Sequence, residues 1–327
     1  MQEKRVCSEG LTPGCSAHAR GSHVDRDFRQ LTWDDELEDD CRELIRLAVR
    51  EDLERGHDWT TVAMAAAASR GGATFGARES GVVAGIHAAR LVVEEMNLDA
   101  TWTTWVDDGE VVEAGKPLAQ LEGSARDLLT AERLMLNLLG RLCGIATLTR
   151  QYVTAVAGTH ARVYDTRKTT PGWRRLEKHA VHCGGGRNHR TGLFDAVLIK
   201  DNHLQLRRNE SPTATLADAV RHARQFLGQH GVGDLIVEIE VDTLDQLRDA
   251  LQGAPDIVLL DNMTNDQLRE AVQIRAAHGA DVELEASGGV NLATIRGIAE
   301  TGVDRISVGA LTHSSRSLDI GLDWSLS

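Results

Sequence analysis

IVEIEVDTLDQLRDALQGAPDIVLLDNM, residues 236 to 263, changes chain period twice. Ile236 to Val241 alternates β-branched residues with glutamates, Leu244 to Leu251 places Leu244, Leu247 and Leu251 three and four apart, and Ile257 to Leu260 is again a short apolar run. Strand, helix and strand with such short connections make a βαβ unit with a right-handed crossover. The alternation extends both ways along the chain. Further strands are expected at Arg162 to Thr166, Ala196 to Lys200, Val282 to Ala286 and Arg305 to Val308, with helices at Thr215 to Leu227, Asn265 to His278 and Asn291 to Glu300. Such units close either into an open doubly wound sheet or into a barrel.

The strand ends favour the barrel. Arg167 and Lys168, Lys200 and Asp201, Glu240, Asp261, Glu285 and Ser287, and Gly309 each follow or finish an expected strand. In a (β/α) barrel those ends converge on one mouth, where barrel enzymes hold their sites. The period of two also puts Glu238 with Glu240, and Glu283 with Glu285 and Ser287, on shared faces. Glutamates facing the barrel interior need cationic partners, and for Glu283 and Glu285 the expected partner is lysine.

Upstream, residues 131 to 156 are apolar nearly all round, which predicts a helix buried between layers. Its polar exceptions Arg133, Asn137 and Arg141 share one face. Glycine-punctuated short runs from Ala73 to Gly123 predict strands around one helix near His87 to Met96, and Trp33 to Gly56 predicts an amphipathic helix. The run VEAGKPLAQLEG is like the small sandwich of lipoyl and biotinyl carriers, but Lys116 lies between Gly115 and Pro117 rather than in a tight exposed turn, so no prosthetic group is expected. The fold class expected is α/β, with residues 1–32 a flexible extension, 33–145 an N-terminal α/β sandwich domain with a buried helix, and 146–327 an open (β/α) barrel of about six strands.

Thirty-six basic against 49 acidic side chains leave a net charge of −13, which argues against nucleic acid or an anionic membrane as partner. An anionic ligand must therefore meet a local basic site. Residues 162 to 203 supply one: nine Arg or Lys face four Asp or Glu there, partly on the glycine run 184–186. Arginine forks and lysine charges in that density suit a small polyanion. The five cysteines form no C-x-x-C pair, and His182, Cys183 and His203 lack a fourth ligand at zinc spacing, so neither a disulfide framework nor a zinc site is expected. Cys183 is expected to be a packing residue. No apolar run approaches the roughly 18 residues of a membrane span, and the N-terminus lacks the order of a signal peptide, so a cytoplasmic protein is expected.

DTRKTTPGWRRLEKHAVHCGGGRNHRTGLFDAVLIKDNH, residues 165 to 203, resembles the signature of the quinolinate phosphoribosyltransferases. ARESGVVAG (77–85), AER (131–133), VEIEVDTLDQ (237–246), DIVLLDNM (256–263), EASGGV (285–290) and ISVGALTHS (306–314) resemble the same family in its order. Trp173 and His179 depart from it, standing where a leucine and a tyrosine are expected. The resemblance implies phosphoribosyl transfer from phosphoribosyl pyrophosphate to quinolinate with Mg²⁺, and loss of carbon dioxide after the ring nitrogen is quaternised. It implies that Arg133, Arg167, His189 and Arg190, with Lys168, hold quinolinate's carboxylates, and that Lys168 and Lys200 reach phosphate or pyrophosphate oxygens. Glu240 and Asp261 are implied beside the ribose hydroxyls and Mg²⁺, and Ser287, Gly288, Gly289 and Gly309 in phosphate loops, with His313 a weaker phosphate contact. A head-to-tail homodimer, or a hexamer of dimers, is implied, with Arg133 entering the neighbour's site. Two alternatives stay open: a nicotinate-type or paralogous phosphoribosyltransferase of the same fold, which needs fewer cations for ring acids, and a non-catalytic anion-binding barrel, which has no use for Glu240 and Asp261.

Overall fold

The computed structural model describes residues 27–279 and 281–326. Residues 1–26 of the expected flexible extension lie outside the described residues. The first layer contains α1 (Asp35–Leu53), α2 (Trp59–Met64), β1 (Arg70–Ala77), β2 (Gly81–Val82), α3 (Ile86–Glu95), β3 (Ala100–Thr104), β4 (Val111–Val112), β5 (Pro117–Ser124) and α4 (Ala125–Ala155). Asp34 and Ser124 cap α1 and α4 by accepting backbone N–H groups three residues on. The second contains β6 (Arg162–Tyr164), α5 (Arg174–Cys183), β7 (Ala196–Ile199), α6 (Asp201–Glu210), α7 (Leu216–Gln229), β8 (Ile236–Val241), α8 (Leu244–Leu251), β9 (Ile257–Asp261), α9 (Asn265–His278), β10 (Glu283–Ser287), α10 (Ile295–Ala299), β11 (Arg305–Ser307) and α11 (Ala310–His313), followed by β12 (Ile320–Leu326).

β12 does not stay with the barrel. It crosses back to pair antiparallel with β1, Ala73 opposite Trp324 and Phe75 opposite Leu322, in the sheet β12-β1-β5-β3. The expected division at 145/146 also falls inside α4, whose buried Leu138, Leu142 and Ile145 belong to the main core that both sheets share. The two parts are therefore joined by a common helix and a returning strand.

Six parallel strands run in the order β6-β11-β10-β9-β8-β7. That is sequence order bent into a ring and left open between β6 and β7. The opening is lined by the segment after α5: Arg187 donates its N–H to the Val163 carbonyl at 2.8 Å and accepts from the Asp165 N–H at 3.0 Å, continuing the sheet for one bridge beside β6. Arg190 Nη1 then reaches the Ala196 carbonyl of β7 at 3.2 Å.

Residues 27–32 correct the expectation of a flexible segment. Phe28 is 5% and Leu31 3% exposed. Phe28 clusters with Tyr164 and with Ala196, Ile236 and Ile257, the first residues of β7, β8 and β9, so it fills the end of the barrel opposite the strand ends. Burial there explains why so short a segment is held: it has an apolar cavity to fill and ionic partners around it.

Candidate active site

The side chains inside the barrel lie in layers set by the strand period. Lowest is Arg305, fully buried, which donates to Asp27 (2.9 Å), Glu283 (2.6 Å) and Glu285 (3.2 Å) and lies over the Tyr164 ring at 3.9 Å. Glu283 also pairs with Arg162. The interior glutamates thus meet arginine and histidine where lysine was expected. An arginine fork satisfies several carboxylates at once, which a single ammonium cannot do in this geometry.

Above it lies His189, with Nε2 3.1 Å from Glu238 and 3.5 Å from Glu285. Burial opposes its charged form, but the Glu238 and Glu285 carboxylates outweigh that and raise its pKa. Burial in turn pushes the Glu285 carboxyl above its usual range. Nδ1 of His189 accepts the Arg190 N–H at 2.8 Å. With Nδ1 an acceptor, the ring proton lies on Nε2, on the side of Glu238 and Glu285, so neither nitrogen is a free donor to the cavity.

The strand ends open into a cavity of about 630 Å³. Ten of the thirteen expected site residues line it: Arg167, Lys168, His189, Arg190, Lys200, Glu240, Asp261, Ser287, Gly288 and Gly289. Gly309 and His313 sit at its rim, since a Cβ on Gly309 would lie 3.0 Å from Lys168 Cδ and 3.1 Å from His313 Nε2. Gly288 has φ +97°, and a Cβ there would meet Asn262 Oδ1 at 2.1 Å, so only glycine fits this turn. Lys200 pairs with Glu240 across the mouth. Asp261, on the strand beside Glu240's, accepts from Asn262 Nδ2 at 2.7 Å.

The cationic wall has an unmet need. The buried Arg167 Nε has no hydrogen-bond partner among the described residues, and burial followed by the Arg167 charge depresses Arg190 below the ordinary guanidinium range. Two arginines that repel each other, one with an orphaned donor, are what a bidentate anion satisfies.

The nine cations of residues 162 to 203 do not all serve this wall. Arg162 pairs with Glu283, Arg175 with Glu36 and Asp40, Lys178 with Asp165, and Arg187 with Asp27, while Arg174 bonds Thr169 Oγ1 and the Thr191 carbonyl. Only Arg167, Lys168, Arg190 and Lys200 of the nine line the cavity. Several of the others place it. The fully buried Lys178 pairs with Asp165 and donates to the His189 carbonyl at 2.8 Å, while Asp165 accepts the His189 N–H (2.9 Å) and Asn188 Nδ2 (2.8 Å). Lys178, Asp165, Asn188 and Glu238 were not singled out from sequence as site supports, because a buried ion pair carries no periodic signal.

Arg133 lies elsewhere. With Asn137, Arg141 and Trp173 it lines a separate cavity of about 540 Å³, so the three polar residues of the α4 face do come together. Arg141 is also tied inward to Glu177 at 2.6 Å.

No zinc role is expected for His182, Cys183 and His203, and His203 Nδ1 accepts the Lys200 N–H at 2.9 Å. Cys183 instead neighbours His179 and Asp108. Hydrogen bonds account for that cluster: Asp108 accepts from Gly85 and Ile86 at the start of α3, and His179 spans the Leu31 carbonyl (3.2 Å) and Asp108 (3.1 Å). Burial pushes the Cys183 thiol well up, consistent with a packing role.

Family models described as the N-terminal and C-terminal domains of quinolinate phosphoribosyl transferase match residues 58–143 and 145–323. The nicotinate-nucleotide pyrophosphorylase [carboxylating] of Mycobacterium leprae is 45% identical over 287 residues, covering 87% of this chain and 97% of the relative. A mitochondrial quinolinate phosphoribosyltransferase [decarboxylating] of Nicotiana glauca is 37% identical, covering 86% and 82%. The solved nicotinate-nucleotide pyrophosphorylase of Francisella tularensis superposes with a TM-score of 0.82 at 36% identity, over 91% of this chain and all of that one. The open barrel, the mixed-charge mouth and these matches along both domains agree: the chain belongs to the quinolinate phosphoribosyltransferase family.

Proposed function

We propose that this chain transfers the phosphoribosyl group of phosphoribosyl pyrophosphate to quinolinate with decarboxylation, giving nicotinate mononucleotide, pyrophosphate and carbon dioxide, a step of NAD biosynthesis. The observation that carries this reading is one cavity with two unequal walls: Arg167, Lys168 and Arg190 on one side, Glu240 and Asp261 on the other. Quinolinate's two carboxylates need the first wall. The ribosyl carbon becomes cationic as its bond to pyrophosphate breaks, and the second wall favours that state.

Arg167, Arg190 and Lys168 hold the carboxylates, His189 lies beneath them and fixes the Arg190 backbone, and Lys168 and Lys200 neutralise phosphate oxygens. Backbone amides of Ser287, Gly288, Gly289 and Gly309 approach the 5′-phosphate where side chains would obstruct, with His313 at the rim. Glu240 and Asp261, two carboxylates on adjacent strand ends, fit the hard-oxygen coordination of Mg²⁺. Bound there, the ion supplies charge neutralisation for the pyrophosphate. The ring nitrogen donates its pair to the ribosyl carbon and becomes a cation. Loss of the adjacent carboxylate then leaves an electron pair on the ring carbon, which takes up a proton.

Arg133 serves the neighbouring subunit's cavity in a head-to-tail homodimer or a hexamer of such dimers. Its place in a separate cavity of this chain supports that reading. Among the described residues no helix is long and apolar enough to cross a membrane, and the cytoplasm is the proposed setting. The test is to offer purified protein quinolinate or nicotinate with phosphoribosyl pyrophosphate and Mg²⁺. Quinolinate should be consumed and nicotinate left. Preference for nicotinate would favour the paralogous activity, and binding of anions without turnover the non-catalytic barrel.

A further inference from the structure

We infer that residues 27–31 are a positioning element of the active site, acting from the far end of the barrel on the segment that carries His189 and Arg190. The inference rests on the reading of the cavity as the quinolinate site.

The segment Arg187–Arg190 lies in the opening between β6 and β7, where only one sheet bridge holds it. Its remaining backbone hydrogen bonds are divided: Asp165 and Lys178 hold the His189 N–H and carbonyl, and the strap beneath holds those of Asn188. Gln30 pairs with Asn188 in both directions, accepting its N–H at 2.8 Å and donating to its carbonyl at 3.2 Å. The Leu31 N–H donates to Asn188 Oδ1 at 2.7 Å. Asn188 is thereby gripped on backbone and side chain by two consecutive strap residues, immediately before His189.

Phe28 does the same for the ring. Its centroid is 4.3 Å from that of His189 with the planes 31° apart, and the Arg305 guanidinium lies 5.0 Å from the Phe28 ring. Asp27 anchors the strap by accepting from Tyr164 Oη (2.9 Å), Arg187 Nη1 (2.7 Å) and Arg305 Nη2 (2.9 Å). His189 thus stands between Phe28 below and the cavity above. Without the phenyl ring, water reaches His189, Glu238 and Glu285 from beneath, and the imidazole loses the surface that fixes its tilt. A displacement of about 1 Å in a positioned group can cost roughly a hundredfold, so a partial loss of support should be readily measurable.

The expected signature is selective. His189 and Arg190 hang from the strapped segment, whereas Lys200, Glu240, Asp261 and the glycine loop at 287–289 lie at the far ends of β7 to β10, a strand's length from the first residues of β7, β8 and β9 that Phe28 meets. Phe28→Ala should raise the KM for quinolinate about tenfold or more and leave that for phosphoribosyl pyrophosphate within about twofold. Phe28→Leu, which keeps apolar cover, should fall between this variant and the parent. Gln30→Ala removes the clamp without removing a core side chain and should act in the same direction, so the inference stays open to test even where Phe28→Ala does not fold. Arg29→Ala is the control, since that side chain pairs with Asp34 and Glu36 on the surface.

Steady-state kinetics in both substrates, with urea unfolding of each variant, decide the matter. Unchanged quinolinate KM in folded Phe28→Leu and Gln30→Ala overturns the inference, as does an equal rise in both KM values tracking lost stability, which is what a merely structural strap would give. A parent protein that turns over no quinolinate overturns the functional reading beneath it instead.

Discussion

Lys178→Met should be among the most damaging single changes outside the cavity lining. The ammonium is fully buried, pairs with Asp165 and donates to the His189 carbonyl at 2.8 Å. Methionine fills the same space but leaves Asp165 a buried carboxylate with hydrogen-bond donors and no countercharge. Breaking a buried pair from one side costs about 3–5 kcal/mol. Spread over an unfolding entropy of roughly 2.1 cal/mol/K per residue, that lowers the melting midpoint of a chain this long by about 4–7 °C. Adding Asp165→Asn removes the orphaned charge, so the double variant should recover a large part of the loss. Calorimetric or urea unfolding of the two single variants and the double variant forms the cycle. A Lys178→Met cost under about 1 kcal/mol, or strict additivity of the two changes, would refute the picture of a buried pair bracing His189, because those are the values of a solvated surface pair.

On the proposed reading Arg190→Ala removes a charge-assisted contact to the dicarboxylate, and it should lower kcat/KM for quinolinate roughly 10- to 150-fold with the fold intact; wild-type kinetics would exclude it from the site. Asp108 titrates below its usual value because the His179 contact and the Gly85 and Ile86 N–H groups outweigh burial, which alone would raise it. Its stabilisation is present above the unfolded value near 3.8 and is lost as pH falls through the lower folded value. Asp108→Asn should therefore show a lowered urea midpoint at neutral pH that converges on wild type below about pH 4, and a gap independent of pH would contradict this. Mixing inactive Arg133→Ala with inactive Lys200→Ala should, after random subunit exchange, restore about a quarter of the sites; no regained activity after verified exchange would assign Arg133 to its own subunit or to no site.

Much of this architecture is legible in the chain because strand ends carry chemistry. β8 and β9 are marked by β-branched alternation, and Glu240 and Asp261 stand at their ends as the barrel reading requires. Ten expected residues meet in one cavity because a parallel barrel brings all its carboxyl ends to one side. Other features have no local signature. α5 escapes notice since its buried face includes Glu177, Lys178 and His179, polar residues whose partners lie elsewhere in sequence. β12 shows a strand-like period only over its own seven residues, while its partner β1 lies some 250 positions earlier. The strap at 27–31 offers two apolar side chains among polar ones, and nothing local tells that the barrel end needs a phenyl ring.

The central claim is that this cavity joins a ribosyl carbon to a pyridine nitrogen and then expels the neighbouring carboxylate. Quinolinate labelled in the carboxyl beside the ring nitrogen, incubated with phosphoribosyl pyrophosphate and Mg²⁺, tests it most directly. The account predicts one labelled carbon dioxide and one pyrophosphate released per nicotinate mononucleotide formed. Pyrophosphate release with the label retained in the product, or no release at all from a folded protein, would contradict it.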